Sequence, residues 1–119
     1  PPRSTLFPYT TLFRSEDASW AWLLFEVAAL PAVFEEWLCR GVLWTACARL
    51  ESPRLTLGAT ALLFGLLHLP GQGPLGALDG IAAGLAFGWL RARTGSLAPG
   101  IAAHFVNNAL ALWAAALSC

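Results

Sequence analysis

Residues 97–117 read LAPGIAAHFVNNALALWAAAL. The run contains no Asp, Glu, Lys or Arg, and roughly 20 such residues in a helix cross a bilayer core of about 30 Å. Working outward, three more apolar stretches precede it, from about Ala18 to Leu50, Pro53 to Leu69 and Leu75 to Arg93. The chain of 119 residues is 57% hydrophobic and 12% charged, about half the charged share of a soluble domain. Too few charges remain to clothe a water-facing surface. The expected fold class is therefore all-α, a polytopic transmembrane helix bundle of about four spans with the lipid bilayer as its partner. The net charge of +0 leaves no basic footprint, so nucleic acid is not expected as a partner.

Breaker residues divide these stretches. Pro31 sits inside the first, where its missing N–H and its ring predict a kink or a break. Ser52-Pro53 reads as a helix start, with a capping hydroxyl before a proline. Leu69-Pro70-Gly71-Gln72-Gly73-Pro74 and Thr94-Gly95-Ser96 read as short turns. Gly76, Gly80, Gly84 and Gly88 recur every four residues and predict a small-residue face for close helix approach. Arg49 and Arg54 flank the first connection, and Arg91 and Arg93 flank the third. In a four-span chain those connections share a side, which the excess of positive charge marks as cytoplasmic. The expected location is an integral membrane position in a bacterial plasma membrane.

Residues 1–15 are expected to lie outside the fold. Thr5 to Ser15, TLFPYTTLFRS, match the translation of a sequencing-adapter oligonucleotide, and such scars are set aside from fold reasoning. The natural sequence is then expected to begin near Glu16, truncated at its N-terminus, with residues 16–119 as a single domain. Cys39, Cys47 and Cys119 form no C-x-x-C pair. Eight residues of helix separate the first two by roughly 12 Å, too far for a disulfide. They read as small apolar fillers.

Ionisable groups inside spans cost about 3 kcal/mol or more each near the membrane centre. Here they are Glu35, Glu36, Arg40, His68 and His104, with Asn108 as a polar neighbour. Each has a plain explanation. Glu36 and Arg40 can neutralise each other at i,i+4. His68 can cap a helix end, and His104 with Asn108 can be a packing pair. Their depths argue for more. Glu35 stands 14 residues from Arg49 and His68 stands 14 from Arg54, roughly 21 Å in each case. His104 stands 11 from Arg93 and Asn108 stands 15 from Arg93, roughly 17 and 22 Å. Separate helices thus deliver polar groups to one level.

Two chemistries fit such a set. Glu35 can activate a water as general base with His68 beside it, while His104 and Asn108 donate to the oxyanion. Alternatively, Glu35, His68 and His104 can hold Zn²⁺, the one cofactor left open, with the metal activating the water. Both hydrolyse a peptide bond, which implies a peptide or protein substrate at the membrane. The helical H-E-x-x-H signature is missing, as is G-x-S-x-G, and no Ser or Cys adjoins either histidine. A covalent nucleophile is not expected.

Three short patterns carry a resemblance. E-E-x-x-x-R stands as Glu35-Glu36-Trp37-Leu38-Cys39-Arg40, F-x-x-x-H as Phe64-Gly65-Leu66-Leu67-His68, and H-x-x-x-N as His104-Phe105-Val106-Asn107-Asn108. Gly88 to Pro99 is similar to the family's stretch before its last motif. In this order they resemble the CPBP family, or Abi domain, which includes type II CAAX prenyl endopeptidases and bacterial proteins of bacteriocin processing and self-immunity. The likeness covers about residues 20–117. It implies an intramembrane endopeptidase, of the metalloprotease or glutamate type, in which Glu35 is the base, His68 its partner, and His104 with Asn108 the oxyanion donors. Glu36 and Arg40 would shape the site, and the implied activity extends to CAAX-type processing. The competing readings are a non-catalytic immunity or scaffold protein that keeps the fold, and an ion-coupled transporter, which should show internal repeats.

Overall fold

A computed structural model describes residues 19–118 of the chain. The adapter-like stretch and Cys119 lie outside the described residues. These are all-helical, with no strand among them. Helix α1 (residues 20–50) opens on Ser19, whose side chain accepts from the Trp22 N–H at 3.2 Å.

The run does not break at Pro31. Ahead of that proline, Leu24–Ala29 widens into a π-helical segment in which the Leu30 N–H reaches Phe25 O, five residues back. A wider turn accommodates a residue with no N–H to give, whose ring crowds the carbonyl one turn earlier. A second π segment, Trp37–Leu43, follows Glu36 and contains Arg40. The Trp44 N–H there reaches Cys39 O. The helix ends in a 3₁₀ turn, Ala48–Leu50.

Helix α2 (Pro53–Thr94) starts as the Ser52-Pro53 pair predicts, with Ser52 Oγ accepting from Leu55 N–H at 3.4 Å. The expected turn at Leu69–Pro74 shrinks to one residue. The chain stays helical through Gln72, and only Gly73 leaves the helix, at φ 70° and ψ −171°, a region essentially confined to glycine. Pro74 then sits at the start of a new arm, where its missing N–H is no loss.

The two arms fold back against each other. A Cβ on Gly80 would lie 3.0 Å from Gly65 Cα, and one on Gly84 would lie 2.9 Å from Ala61 Cα. Gly80, Gly84 and Gly88 therefore form the predicted close-approach face: the first two meet the first arm backbone to backbone, and Gly88 receives the Leu57 side chain. Gly76 instead faces Gln72 within the bend. Gly95, at φ 68°, closes α2 with its N–H on Arg91 O at 2.9 Å. Helix α3 (Ala98–Leu117) then packs along α1 and α2.

By length and apolarity, two helices among the described residues can cross a membrane, α2 and α3. The π segments divide α1 into shorter pieces and α2 is bent at Gly73, so two such helices stand where about four spans are expected. Among the described residues, large apolar side chains lie outside while several polar ones are buried among the apolar core. Trp20, Phe34, Trp37, Leu66, Trp89 and Trp113 are exposed, whereas Glu36, Arg40, Thr56, Thr60 and His104 are buried. That inversion suits a lipid surround.

Candidate active site

The first of the paired glutamates and the second point into different surroundings, as adjacent residues on a helix must. Glu36 is fully buried and its Oε1 accepts from Arg40 Nη1 at 2.8 Å. Arg40, also fully buried, sends Nη2 to Gly84 O on the second arm of α2 at 2.9 Å. Its guanidinium carbon lies 4.5 Å from the centre of the Phe64 ring and 5.5 Å from that of Phe87. Aromatic faces attract a cation most when water is excluded. The pair is thus anchored to three segments, α1 and both arms of α2.

Glu36 also orients an imidazole. His104 Nδ1 lies 3.1 Å from Glu36 Oε1, and the His104 ring stacks on Phe87 at 4.9 Å. A carboxylate already bound to Arg40 only accepts, so the Nδ1 position carries hydrogen. His68 is fixed the same way, with Nδ1 donating to Phe64 O at 2.8 Å. Both rings therefore turn Nε2 toward Glu35. Glu35 Oε2 lies 3.6 Å from His104 Nε2 and 3.7 Å from His68 Nε2. It has no hydrogen-bond partner of its own among the described residues.

Carboxylate and two imidazoles thus converge from α1, α2 and α3, as the depth estimate implies. Glu35 and His68 open on a cavity of ≈ 370 Å³ whose other walls include Phe34, Leu38, Phe64 and Leu67, while His104 stays buried behind them. Asn108 is placed differently. Its Nδ2 donates to Ala28 O on α1 at 3.4 Å, which ties α3 to α1 one turn beyond His104. Among the described residues no group of three or more His, Cys, Asp and Glu side chains is arranged to hold a metal ion. Glu35, His68 and His104 as they stand do not make such a group.

Sequence reading passed over several parts of this site. Gly84 contributes a carbonyl, which no residue letter announces. Gly100 is small because a Cβ there would lie 2.9 Å from Glu36 Oε2. Phe87 closes the floor under Arg40 and His104, and its only signal is its place one residue from Gly88 on the packed face. Cys39 and Cys47 are free thiols, with Cys39 buried beside Phe64 and Phe87.

An all-helical membrane protein that gathers carboxylate, imidazole and guanidinium groups inside its bundle defines a class. Such proteins handle a polar reaction or a polar cargo away from bulk water. A family model described as type II CAAX prenyl endopeptidase Rce1-like matches residues 17–110. The chain belongs to that family, which is one of membrane proteases. No curated protein matches the chain, and no solved structure does either.

Proposed function

We propose that this chain is an intramembrane endopeptidase that uses Glu35 to activate water, with CAAX-type peptides as its substrate class. The observation that carries this reading is the approach of His68 Nε2 and His104 Nε2 to Glu35 Oε2, at 3.7 and 3.6 Å, beside a cavity whose walls include Phe34, Leu38 and Leu67. A water in that space donates one hydrogen to Glu35 and attacks the scissile carbonyl carbon. The proton moves to the Glu35 carboxylate as the new C–O bond forms, and passes to the leaving amine when the C–N bond breaks. His68 Nε2 accepts the second hydrogen of the same water and so orients it. His104 donates to the oxyanion when Nε2 is protonated, the Glu36 carboxylate balancing that charge through Nδ1–H. Asn108 spends one Nδ2 hydrogen on Ala28 O and keeps the second for the same oxyanion. The walls Phe34, Leu38 and Leu67 take the apolar side chains or lipid of the substrate.

The topology proposed with this function has α1, both arms of α2, and α3 each crossing the membrane in turn. It is supported by the fold-back at Gly73 and by the meeting of Arg91 with the Ala48–Pro53 region around one cavity. That meeting brings the arginine-bearing ends together on the side assigned to the cytoplasm.

The test is cleavage of a quenched fluorogenic peptide ending in a prenylated Cys-aliphatic-aliphatic-X sequence, by the full chain in liposomes. Glu35→Gln, His68→Ala and His104→Ala should each abolish hydrolysis with membrane insertion intact. Cleavage that survives all three changes would remove the site. Chelation followed by metal analysis separates a metal-dependent route from the one described.

A further inference from the structure

Arg91 reads in the sequence as a marker of membrane orientation, a role any cation can fill. Its side chain does something more specific. Arg91 Nε, from the second arm of α2, donates to Arg40 O on α1 at 3.1 Å. Arg40 belongs to the π segment Trp37–Leu43, a wide turn of the kind that interrupts α-helices at functional sites. The same residue's guanidinium holds Glu36 at 2.8 Å, and Glu36 holds His104 Nδ1 at 3.1 Å. Fixing the Arg40 backbone therefore fixes the start of a chain of bonds that ends on an imidazole of the site.

We propose that Arg91 is a positioning residue, a guanidinium clamp on the π turn of α1 that sets the Arg40–Glu36–His104 chain. This rests on the peptidase reading above, which gives His104 its task. The contact needs an N–H that leaves the side chain sideways, before its end. Arginine has one at Nε and lysine does not, so the two residues are not equivalent here although their charge is. The half-buried Arg91 also lines a second, open cavity of ≈ 450 Å³ with Trp44, Ala48, Glu51 and Thr56. Truncating Arg91 leaves a hole that small cations can enter from solution. Arg40, by contrast, is fully buried. Arg93 supplies a matched control, since its guanidinium lies over its own neighbour Trp89 at 5.5 Å and makes no hydrogen bond or ion pair among the described residues.

The experiment compares Arg91→Ala, Arg91→Lys and Arg93→Lys in the full chain, in liposomes, on the fluorogenic peptide. Losing one backbone clamp should cost about tenfold in kcat, with KM within about twofold, for both Arg91 variants. Arg93→Lys should stay at the starting rate. Methylguanidinium chloride should restore Arg91→Ala severalfold and should not restore Arg40→Ala. A fully active Arg91→Lys would overturn the clamp and leave only an orientation charge. An Arg91→Ala enzyme that methylguanidinium cannot improve would overturn it too. If the unmutated chain cleaves nothing, the peptidase reading fails by itself, and hydrogen exchange of the amides of residues 41–47 decides the clamp. Faster exchange in both Arg91 variants and not in Arg93→Lys supports it, and equal exchange in all three refutes it.

Discussion

Replacing Arg40 by methionine keeps an unbranched side chain of similar reach and removes the charge. In the native protein that charge is bound to Glu36 at 2.8 Å and to Gly84 O at 2.9 Å, with both partners of the ion pair at 0% exposure. No solvent screening discounts the interaction. After the change, Glu36 is a buried carboxylate with only His104 Nδ1 at 3.1 Å, and Gly84 O has lost its donor. Breaking one side of a buried pair costs about 3–5 kcal/mol, chiefly because the surviving charge stays desolvated. Adding Glu36→Gln removes that surviving charge, so the double variant should regain about 2 kcal/mol relative to the sum of the two single changes. The measurement is reversible unfolding in mixed micelles, followed by the fluorescence of the chain's 6 tryptophans. A loss below about 1 kcal/mol for Arg40→Met would show that the guanidinium is hydrated in place. Strict additivity would show that the pair acts only as packing volume.

Asn108→Ala should lower the cleavage rate on the order of 10²–10³-fold if the amide is an oxyanion donor, and a loss under about tenfold would leave it only the tie to Ala28. Gly100→Ala pushes a methyl to 2.9 Å from Glu36 Oε2. The carboxylate must give way by a few tenths of an ångström, and kcat should fall about tenfold with little change in KM. An unchanged kcat would show that Glu36 can shift without disturbing His104. Gly73→Ala places a Cβ at φ 70° and ψ −171° and should cost about 1–3 kcal/mol of folding stability, read in the same micelle titration. A neutral result would mean that the two arms of α2 can meet through another bend.

Much of the site was legible from spacing alone. A fixed rise of about 1.5 Å per residue converts sequence separation into depth, and that alone places Glu35, His68 and His104 near one level. The i,i+4 rule paired Glu36 with Arg40 for the same reason. Illegible were the parts that are backbone or absence: the Gly84 carbonyl, the missing side chain at Gly100, and Arg40 O as an acceptor for Arg91. Nor did the breakers declare which residue would turn the chain. Pro70 and Pro74 are the louder signals, yet both fit helical φ; of the two glycines that could take a positive φ at no steric cost, Gly71 stays helical and Gly73 turns.

The π segments explain both the unbroken run through Pro31 and the shape of the site. Leu23, Ala28, Ala32, Glu36 and Arg40 are the buried positions along this part of α1, with Cys39 beside the last. They are separated by five residues once and then by four. In an α-helix of 3.6 residues per turn, a four-residue step overshoots a full turn by about 40°. Repeated down the rod, the steps would carry Arg40 well round from Leu23. Turns with bonds five residues back are wider, and they fall at Leu24–Ala29, across the five-residue step, and at Trp37–Leu43, around Arg40. The widening takes back rotation where the buried line needs it, so Glu36 and Arg40 stay turned toward α3 and the second arm of α2. Helical wheels drawn at constant pitch lose this line, because each wide turn shifts the phase of every residue after it.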